Sequence, residues 1–317
     1  MITKLTGLIA APFTPMQVDG SLNLDLIEQQ ATLLAANGVQ GAFVCGTTGE
    51  GLSLTTQERM QVAERWLAVA PKGLRVIVHV GHNSVGESRR LAAHAQQIGA
   101  HAIASIGSTF FRPPSAAELV DLCALVAAAA PALLFYYYHL PAMTGVNLPM
   151  TEFLRLGAER IPTLAGMKFT DENLMSYAQC LNFDGGRFNI LFGRDEILLA
   201  ALALGATGAV GSTFNYMAPI YLKVIEAFRA GDLDTARHWQ MLSIRIIAVM
   251  VRYGGLPAGK AIMKMIGVDC GPVRPPLRNL TVEEYAAFQA DLAGVGFPAQ
   301  VPKTISNHER SAWATVE

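Results

Sequence analysis

Charge is scarce in this sequence, and neither sign dominates. Charged residues make up 15% of the 317 positions, and the formal net charge is −1. The chain has no basic stripe, which argues against nucleic acid or an anionic membrane surface as its main partner. Apolar residues account for 51% of the chain, enough to bury a large core. The length allows two domains, or a single α/β barrel with additions.

Cysteine pairs and long apolar runs are also missing. The four cysteines lie far apart with no CxxC spacing, at Cys45, Cys123, Cys180 and Cys270. We therefore expect reduced thiols and a cytoplasmic protein. The first apolar run is short and interrupted by Pro12, which predicts a strand and not a secretory signal. The run from Leu125 to Phe135 is too short and too broken for a membrane span.

Short apolar runs alternate with longer segments of helical periodicity. Eight runs rich in β-branched and aromatic residues begin at Leu5, Val39, Leu74, His101, Ala132, Leu164, Phe188 and Gly208. This α/β alternation predicts a (β/α)8 TIM barrel within residues 1–216. Successive helices without strands predict a C-terminal helical extension, packed on the barrel, over residues 217–295. Residues 300–317 are polar and predict a loosely held tail.

Lysine 168 is the most informative residue, because it interrupts the apolar run LAGMKFT. An ammonium group is expensive in a strand buried on both faces. Alternation places Lys168 on one face with Gly166, which removes bulk beside it, and Thr170, which adds a hydroxyl toward the strand end. A desolvated lysine has a depressed pKa, so its neutral amine can attack a carbonyl and form a Schiff base. A lysine paired with a buried carboxylate is the structural alternative.

Further polar residues follow the other predicted strands, at the end where such barrels carry their active sites. Strand two ends in GTTGEG, residues 46–51, where backbone N–H groups can converge on an anion. We favour a carboxylate over a phosphate, and the loop lacks the Walker pattern. An ordinary turn with capping hydroxyls is the alternative. In strand five, Tyr136 and Tyr138 share a face. The nearby Pro141 marks the end of the strand, which favours Tyr138 as the tyrosine at the barrel mouth. The alternative is that this tyrosine only packs in the core.

Strands seven and eight end in FGRDE and GSTFN. They place four residues at the same rim, namely Gly193, Asp195, Glu196 and Ser212. The adjacent carboxylates can accept hydrogen bonds from sugar hydroxyls, or can be mere partners of a helix dipole.

His79 and His82 raise the alternative of a metal aldolase, in which a metal ion stabilises an enolate. Their spacing at a strand end rarely presents both rings to one ion, and no obvious third ligand follows. We therefore expect neither a metal nor another cofactor.

Taken together, these motifs resemble the pyruvate-dependent class I lyase and aldolase family that includes N-acetylneuraminate lyase and dihydrodipicolinate synthase. The resemblance covers residues 5–285 and rests on GTTGEG, YYYHLPAMTG, GMKFTD and GATGAVGSTFNY. It implies that Lys168 forms an imine with pyruvate, and that Thr47 and Thr48 hold the pyruvate carboxylate. It also implies that Tyr138 relays a proton and that the protein is a homotetramer.

Two departures count against the dihydrodipicolinate synthase branch. Its members usually carry an arginine where this chain has Met143, and an intersubunit tyrosine where it has Phe110 and Phe111. The other motifs resemble the N-acetylneuraminate lyase branch, which implies reversible cleavage of N-acetylneuraminate to N-acetylmannosamine and pyruvate. The resemblance places the sugar chain against Thr170, Gly193, Asp195, Glu196 and Ser212, and leaves open which way Arg194 points.

Three alternatives stay open within the same family. The same imine chemistry can serve an aldolase or a hydratase-aldolase that acts on another 2-keto acid, such as a 2-keto-3-deoxy sugar acid. It can also serve the synthesis of 4-hydroxy-tetrahydrodipicolinate. A third alternative is an inactive member that senses pyruvate or a sugar acid, although such proteins usually lose the lysine or the tyrosine. In every case the expected partner is a small molecule.

Overall fold

A computed structural model describes residues 4–297 of the protein. Its eight strands are parallel and form one closed barrel, in which each strand pairs with the next and the last pairs with the first. They are β1 (Gly7–Ala10), β2 (Gly41–Val44), β3 (Arg75–His79), β4 (Ala102–Ser105), β5 (Leu134–His139), β6 (Leu164–Phe169), β7 (Asn189–Phe192) and β8 (Gly208–Gly211). The predicted barrel is confirmed, with one strand in each apolar run. The predicted polar tail, residues 300–317, lies outside the described residues.

Twelve α-helices accompany the strands within residues 4–297. They are α1 (Leu26–Ala36), α2 (Thr56–Val69), α3 (Val85–Gln97), α4 (Ala116–Ala127), α5 (Pro141–Thr144), α6 (Met150–Arg160), α7 (Leu174–Asn182), α8 (Leu198–Ala203), α9 (Phe214–Arg229), α10 (Leu233–Arg252), α11 (Leu256–Met265) and α12 (Val282–Gly294). At least one helix separates each strand from the next, and the last four follow β8. This order matches the predicted barrel with additional C-terminal helices.

Local signals set several helix ends. Helices α2 and α12 both begin with a capping box, formed by Thr55 with Glu58 and by Thr281 with Glu284. In each box the threonine side chain accepts from the backbone of the glutamate, whose carboxylate accepts from the backbone of the threonine. After α1 the chain turns at Gly38, whose φ of 74° lies in the left-handed region that glycine favours.

Alternation along the strands sorts the buried side chains into two clusters. The cluster inside the barrel includes Ile9, Phe43, Ile77, Tyr136, Tyr138, Leu191 and Val210. The other cluster fills the space between the sheet and the surrounding helices, and it contains Tyr137. Strand β5 therefore presents Tyr136 and Tyr138 to the interior and Tyr137 to the helices, as the sequence predicts.

Strand β6 departs from regular pairing. Its register with β5 shifts between Phe135 and Tyr136, and Tyr136 pairs with Gly166 after an extra residue, as in a β-bulge. A Cβ on Gly166 would lie only 1.9 Å from the carbonyl oxygen of Asn189 in β7. Gly166 is therefore required for the close approach of two strands, which is a different reason from the extra room beside the lysine that the sequence suggested.

The helices after β8 bring part of the chain back to the carboxyl ends of the strands. Helix α9 crosses residue 216, the predicted limit of the barrel, and that division of the chain stays a prediction. Helix α10 packs along α9 and against the 3-10 turn Asp195–Ile197 that follows β7. Within residues 4–297 no single helix is long and apolar enough to cross a membrane; α10 and α11 meet that test only as a pair bent by 115°.

Candidate active site

A cavity of about 410 Å³ opens at the carboxyl ends of the strands. Its volume lies within the range of small-molecule sites. The structure brings to this one cavity all nine residues that the sequence predicts for the site: Thr47, Thr48, Tyr138, Lys168, Thr170, Gly193, Asp195, Glu196 and Ser212. They come from five different strand ends, which only barrel closure places side by side.

Lysine 168 is buried in the cavity floor, with 5% of its surface exposed. Its Nζ lies 4.2 Å from the centroid of the Tyr138 ring and 4.6 Å from that of Phe43. Within residues 4–297, no carboxylate lies within ion-pairing distance of this Nζ. The alternative of a lysine neutralised by a buried carboxylate therefore does not describe Lys168. It does describe a second buried lysine, Lys260, whose Nζ lies 2.8 Å from Oε1 of Glu50.

Tyrosine 138 stands beside this lysine on the neighbouring strand. Its hydroxyl lies 3.2 Å from Oγ1 of Thr47, so a hydrogen bond connects β5 with the loop after β2. Tyr136, on the same face, instead donates a hydrogen bond of 3.0 Å to Oδ1 of Asn189, and it does not line the cavity. The position nearer the strand end thus carries the available hydroxyl.

The GTTGEG loop, residues 46–51, is closed on itself by backbone hydrogen bonds. Glu50 N–H donates to the carbonyl of Thr47, and Gly51 N–H donates to that of Gly46, each at 3.0 Å. Among the residues described, the N–H groups of Thr47 and Thr48 have no acceptor. Two free backbone donors beside two hydroxyls at the cavity suit a carboxylate.

Thr170 presents a buried hydroxyl at the cavity. Its Oγ1 is buried, and no hydrogen bond satisfies it within the described part of the chain. A Cβ on Gly193 would lie 2.0 Å from this Oγ1. The absence of a side chain at Gly193 therefore leaves the space that Thr170 occupies. Because an unpaired buried hydroxyl is costly, we expect a ligand group to form a hydrogen bond with it.

Aspartate 195 is buried at the start of the 3-10 turn after β7. Its Oδ2 accepts from the backbone N–H of Thr213 at 3.0 Å and from the Thr213 hydroxyl at 2.6 Å. Burial and then the nearby charge of Glu196 raise the pKa of Asp195 to about 6, although Thr213 opposes the shift. A carboxylate so weakly stabilised accepts strongly from any ligand hydroxyl that reaches it.

Arginine 194 lines the cavity beside these two acids. Its guanidinium forms an ion pair with Glu172 and lies 3.9 Å from Oε1 of Glu196. The direction of this side chain, which the sequence left open, is therefore toward the acidic side of the rim.

Known proteins share this fold and much of this sequence. Residues 4–294 match the dihydrodipicolinate synthetase family. The chain belongs to this family. The N-acetylneuraminate lyases of Mus musculus and Gallus gallus are each 45% identical to it over 93% of its length, covering 93% and 97% of those proteins. A solved structure, the Proteus mirabilis N-acetylneuraminate lyase, matches with a TM-score of 0.91 at 44% identity, over 93% of this chain and 100% of that one.

The two histidines that raised the metal alternative serve separate purposes in this family member. His79 is buried, with Nδ1 3.0 Å from the carbonyl oxygen of Cys45. Burial and then the charge of Arg59 hold the pKa of His79 well below its usual value. His82 accepts at Nδ1 from the backbone N–H of Ser84, the N-cap of α3. In residues 4–297 no group of three or more His, Cys, Asp or Glu side chains is placed to hold a metal ion.

Sequence reasoning missed one wall of the cavity. It assigned no site residue to the C-terminal helices, yet α10 and α11 supply an apolar side composed of Ile247, Met250, Val251 and Leu256. Val251 is 66% exposed, so it forms part of the rim and not of the core. Apolar residues on a helix usually indicate packing, and nothing in their spacing distinguishes a cavity wall from a core face. In this dihydrodipicolinate synthetase family member the cavity therefore has a polar side from the barrel and an apolar side from the extension.

Proposed function

We propose that the protein is a class I aldolase that cleaves N-acetylneuraminate reversibly to N-acetylmannosamine and pyruvate. The observation that carries the proposal is the buried Lys168, which faces the cavity beside Tyr138 and pairs with no carboxylate of residues 4–297. N-acetylneuraminate lyases at 45% identity over nearly the whole chain support this substrate.

Lys168 supplies the nucleophile in this mechanism. Its neutral amine attacks the C2 ketone of the open-chain sugar acid, and the resulting carbinolamine loses water to give an imine. The protonated imine draws the electron pair of the C3–C4 bond, which leaves an enamine on Lys168 and an aldehyde at C4. Protonation of the enamine at C3 and addition of water release pyruvate and the free amine.

Two groups on neighbouring strands assist these steps. The free N–H groups of Thr47 and Thr48 bind the carboxylate at C1, which fixes the ketone next to Lys168. The Tyr138 hydroxyl takes the proton of the C4 hydroxyl as the bond breaks and passes its own proton to the substrate carboxylate or to solvent; in the reverse direction the relay runs backward. The contact between Tyr138 and Thr47 keeps both groups on the same side of the bound substrate.

The remaining polar side of the cavity suits the hydroxylated chain of the sugar. Thr170 offers an unsatisfied hydroxyl, and Asp195 and Glu196 offer acceptors, while Ser212 completes the rim. Gly193 contributes by having no side chain beside Thr170. A polyhydroxy ligand satisfies several of these groups at once.

A homotetramer is part of this proposal, as is a cytoplasmic location. Phe110 and Phe111 are 78% and 83% exposed, and their rings stack edge to face with centroids 4.8 Å apart. Two adjacent exposed aromatic rings are typical of a surface that another subunit covers. All four cysteines are free and buried, which is compatible with a reducing compartment.

Borohydride trapping tests the mechanism and the substrate together. The protein is incubated with N-acetylneuraminate and borohydride, and in parallel with pyruvate and borohydride, and its intact mass is measured. We expect the same reduced pyruvyl adduct from both, mapping to Lys168. An adduct from pyruvate alone would keep the imine and reject the sugar, which directs the search to other 2-keto acids.

Substitution of the lysine completes this test. Lys168→Ala should form no adduct and lose on the order of 10⁴-fold or more in turnover, whereas Lys264→Ala, which removes an exposed lysine, should behave as the wild type. Turnover retained in Lys168→Ala would reject the imine mechanism. Binding of the sugar acid with no product from the wild type would indicate a sensor.

A further inference from the structure

The GTTGEG loop is bracketed by two residues in an unusual backbone conformation. Cys45, directly before the loop, has a φ of 58°, and Glu50, near its end, has a φ of 54°. Among the non-glycine residues that the structure describes, only Asp184 also has a positive φ. Such conformations are strained and persist only where the surroundings enforce them. Contacts around this loop must therefore hold its shape.

The contacts at Glu50 come from the C-terminal extension. Oε1 of Glu50 lies 2.8 Å from Nζ of Lys260 in α11, and the two side chains are 1% and 3% exposed. Oε2 accepts from the backbone N–H of Arg274 at 2.8 Å. Lys260 also donates to the carbonyl of Pro272 at 2.6 Å. The end of the loop is thus tied to helix α11 and to the segment after it.

That segment is itself fixed to the barrel. The Arg274 guanidinium pairs with Glu58 in α2 and donates to the carbonyls of Gly20 and Ser53. The hydrogen bonds from Arg274 lower the pKa of Glu58 to about 2; burial opposes this shift, and hydrogen bonds from Thr55 add to it. Glu50 therefore meets partners that cannot move freely.

We propose that the Glu50–Lys260 ion pair is a positioning device, through which the C-terminal helices hold the GTTGEG loop in the shape that binds the substrate carboxylate. This inference rests on the proposed function, because it assigns the loop to a carboxylate ligand. Desolvating two charges is costly, and an apolar pair of similar volume often gives equal or higher stability. A buried ion pair, however, requires its two groups to lie in one relative position. Here that requirement fixes Glu50, three residues after Thr47.

The chain offers a matched control on the same helix. Lys264 in α11 pairs with Asp269 at 3.1 Å, but both side chains are more than half exposed. This pair joins α11 to the residues directly after it and makes no contact with the loop among the described hydrogen bonds and ion pairs. Replacing it removes the same two charge types, with the lysine taken from the same helix.

The test uses pyruvate itself as the probe, with borohydride trapping in the full-length chain. For each variant, the pyruvate concentration that gives half-maximal adduct formation and the rate at saturation are measured, alongside thermal unfolding. We expect Glu50→Gln and Lys260→Met each to raise the half-maximal concentration by about 10-fold or more, because small displacements of binding groups have large effects. The saturated rate should stay within about 3-fold of the wild type, since Lys168 is untouched. Lys264→Met and Asp269→Asn should change neither quantity.

The double variant Glu50→Gln/Lys260→Met separates positioning from stability. It leaves no unpaired buried charge, so its melting temperature should return toward the wild-type value, and it remains measurable if a single variant fails to fold. The half-maximal pyruvate concentration should nevertheless stay raised. Recovery of both quantities in the double variant, or an unchanged half-maximal concentration, would overturn the inference. Failure of the wild type to form any adduct would instead reject the proposed function.

Discussion

Tyr138 and Lys168 are register partners on adjacent strands, and the Lys168 Nζ lies 4.2 Å from the centroid of the Tyr138 ring. The pairing depends on the register shift between Phe135 and Tyr136. Without that shift, Tyr138 would stand opposite Met167, whose side chain belongs to the cluster outside the barrel. Because a one-residue slip reverses the face of every side chain, the bulge brings both groups into the same cavity.

Removing only the hydroxyl of Tyr138 distinguishes the packing of its ring against Lys168 from the role of its hydroxyl toward the substrate. In Tyr138→Phe the ring stays beside Lys168, but no proton can be relayed, so kcat for cleavage should fall by about 10²-fold or more. Release of pyruvate from N-acetylneuraminate gives the rate, and the pyruvyl adduct at Lys168 should still form. Tyr136→Phe is the matched control, because its hydroxyl binds Asn189 below the cavity. It should keep its activity and lose about 1 kcal/mol of stability; equal loss of activity in both variants would contradict the role of Tyr138.

The unsatisfied hydroxyl of Thr170 should matter for the sugar and not for pyruvate. Thr170→Val keeps the shape but removes the hydroxyl, and should lower kcat/KM for N-acetylneuraminate by roughly 2- to 10-fold, the value of one neutral hydrogen bond. Gly193→Ala should have a similar effect, because its Cβ would displace the Thr170 hydroxyl. Thr170→Ser should retain most of the activity. Half-maximal trapping of pyruvate serves as the reference and should not change; a parallel change would place Thr170 at the keto acid end.

The pKa of Asp195, raised to about 6, predicts a pH dependence of substrate binding. Below pH 6 the carboxyl becomes protonated and is a poorer acceptor for a sugar hydroxyl, so KM for N-acetylneuraminate should rise as the pH falls through 6. Asp195→Asn should lose this dependence between pH 5 and pH 7. An unchanged profile in that variant would show that another group titrates.

Asp195 also affects the stability of the fold, but it favours the folded state at low pH, whereas it favours substrate binding at high pH. Because the folded pKa lies above the ordinary value of 3.8, this group favours the folded state most below pH 4, and that contribution disappears as the pH rises through 6. The difference is on the order of 2–3 kcal/mol. The free energy of unfolding of Asp195→Asn, relative to that of the wild type, should therefore be higher at pH 8 than at pH 4. Denaturant unfolding of both proteins at both pH values measures this difference.

The exposed aromatic pair predicts how the subunits assemble. Phe110→Ser/Phe111→Ser should shift the mass measured by light scattering from a tetramer toward smaller species, because it removes two large apolar side chains from the proposed interface. Leu125→Ser, at another exposed apolar position, is the control and should leave the mass unchanged. A wild-type monomer would reject the tetramer, and an unchanged tetramer in the double variant would place the interface elsewhere.

Much of the barrel and its polar rim could be predicted because both depend on short-range patterns. Each strand is a local apolar run, and alternation groups Tyr138 with Tyr136 and Lys168 with Thr170, each pair on one face of its strand. The rim follows because parallel strands all end on the same side of a barrel. The resemblance to a known family added the expected substrate, which the spacing of residues does not contain.

Other features exist only in the folded chain. The ion pair between Glu50 and Lys260 joins segments that are about 200 residues apart in sequence, and the apolar wall that includes Val251 comes from helices outside the barrel. No periodicity records such contacts, since they depend on how α10 and α11 pack over the barrel. The sequence by itself determined the strands, the residues that share a face and the lone lysine among them. Tertiary structure alone decided that, within residues 4–297, Lys168 has no carboxylate at ion-pairing distance while Lys260 has one, because burial and ion pairing are properties of the space around a side chain.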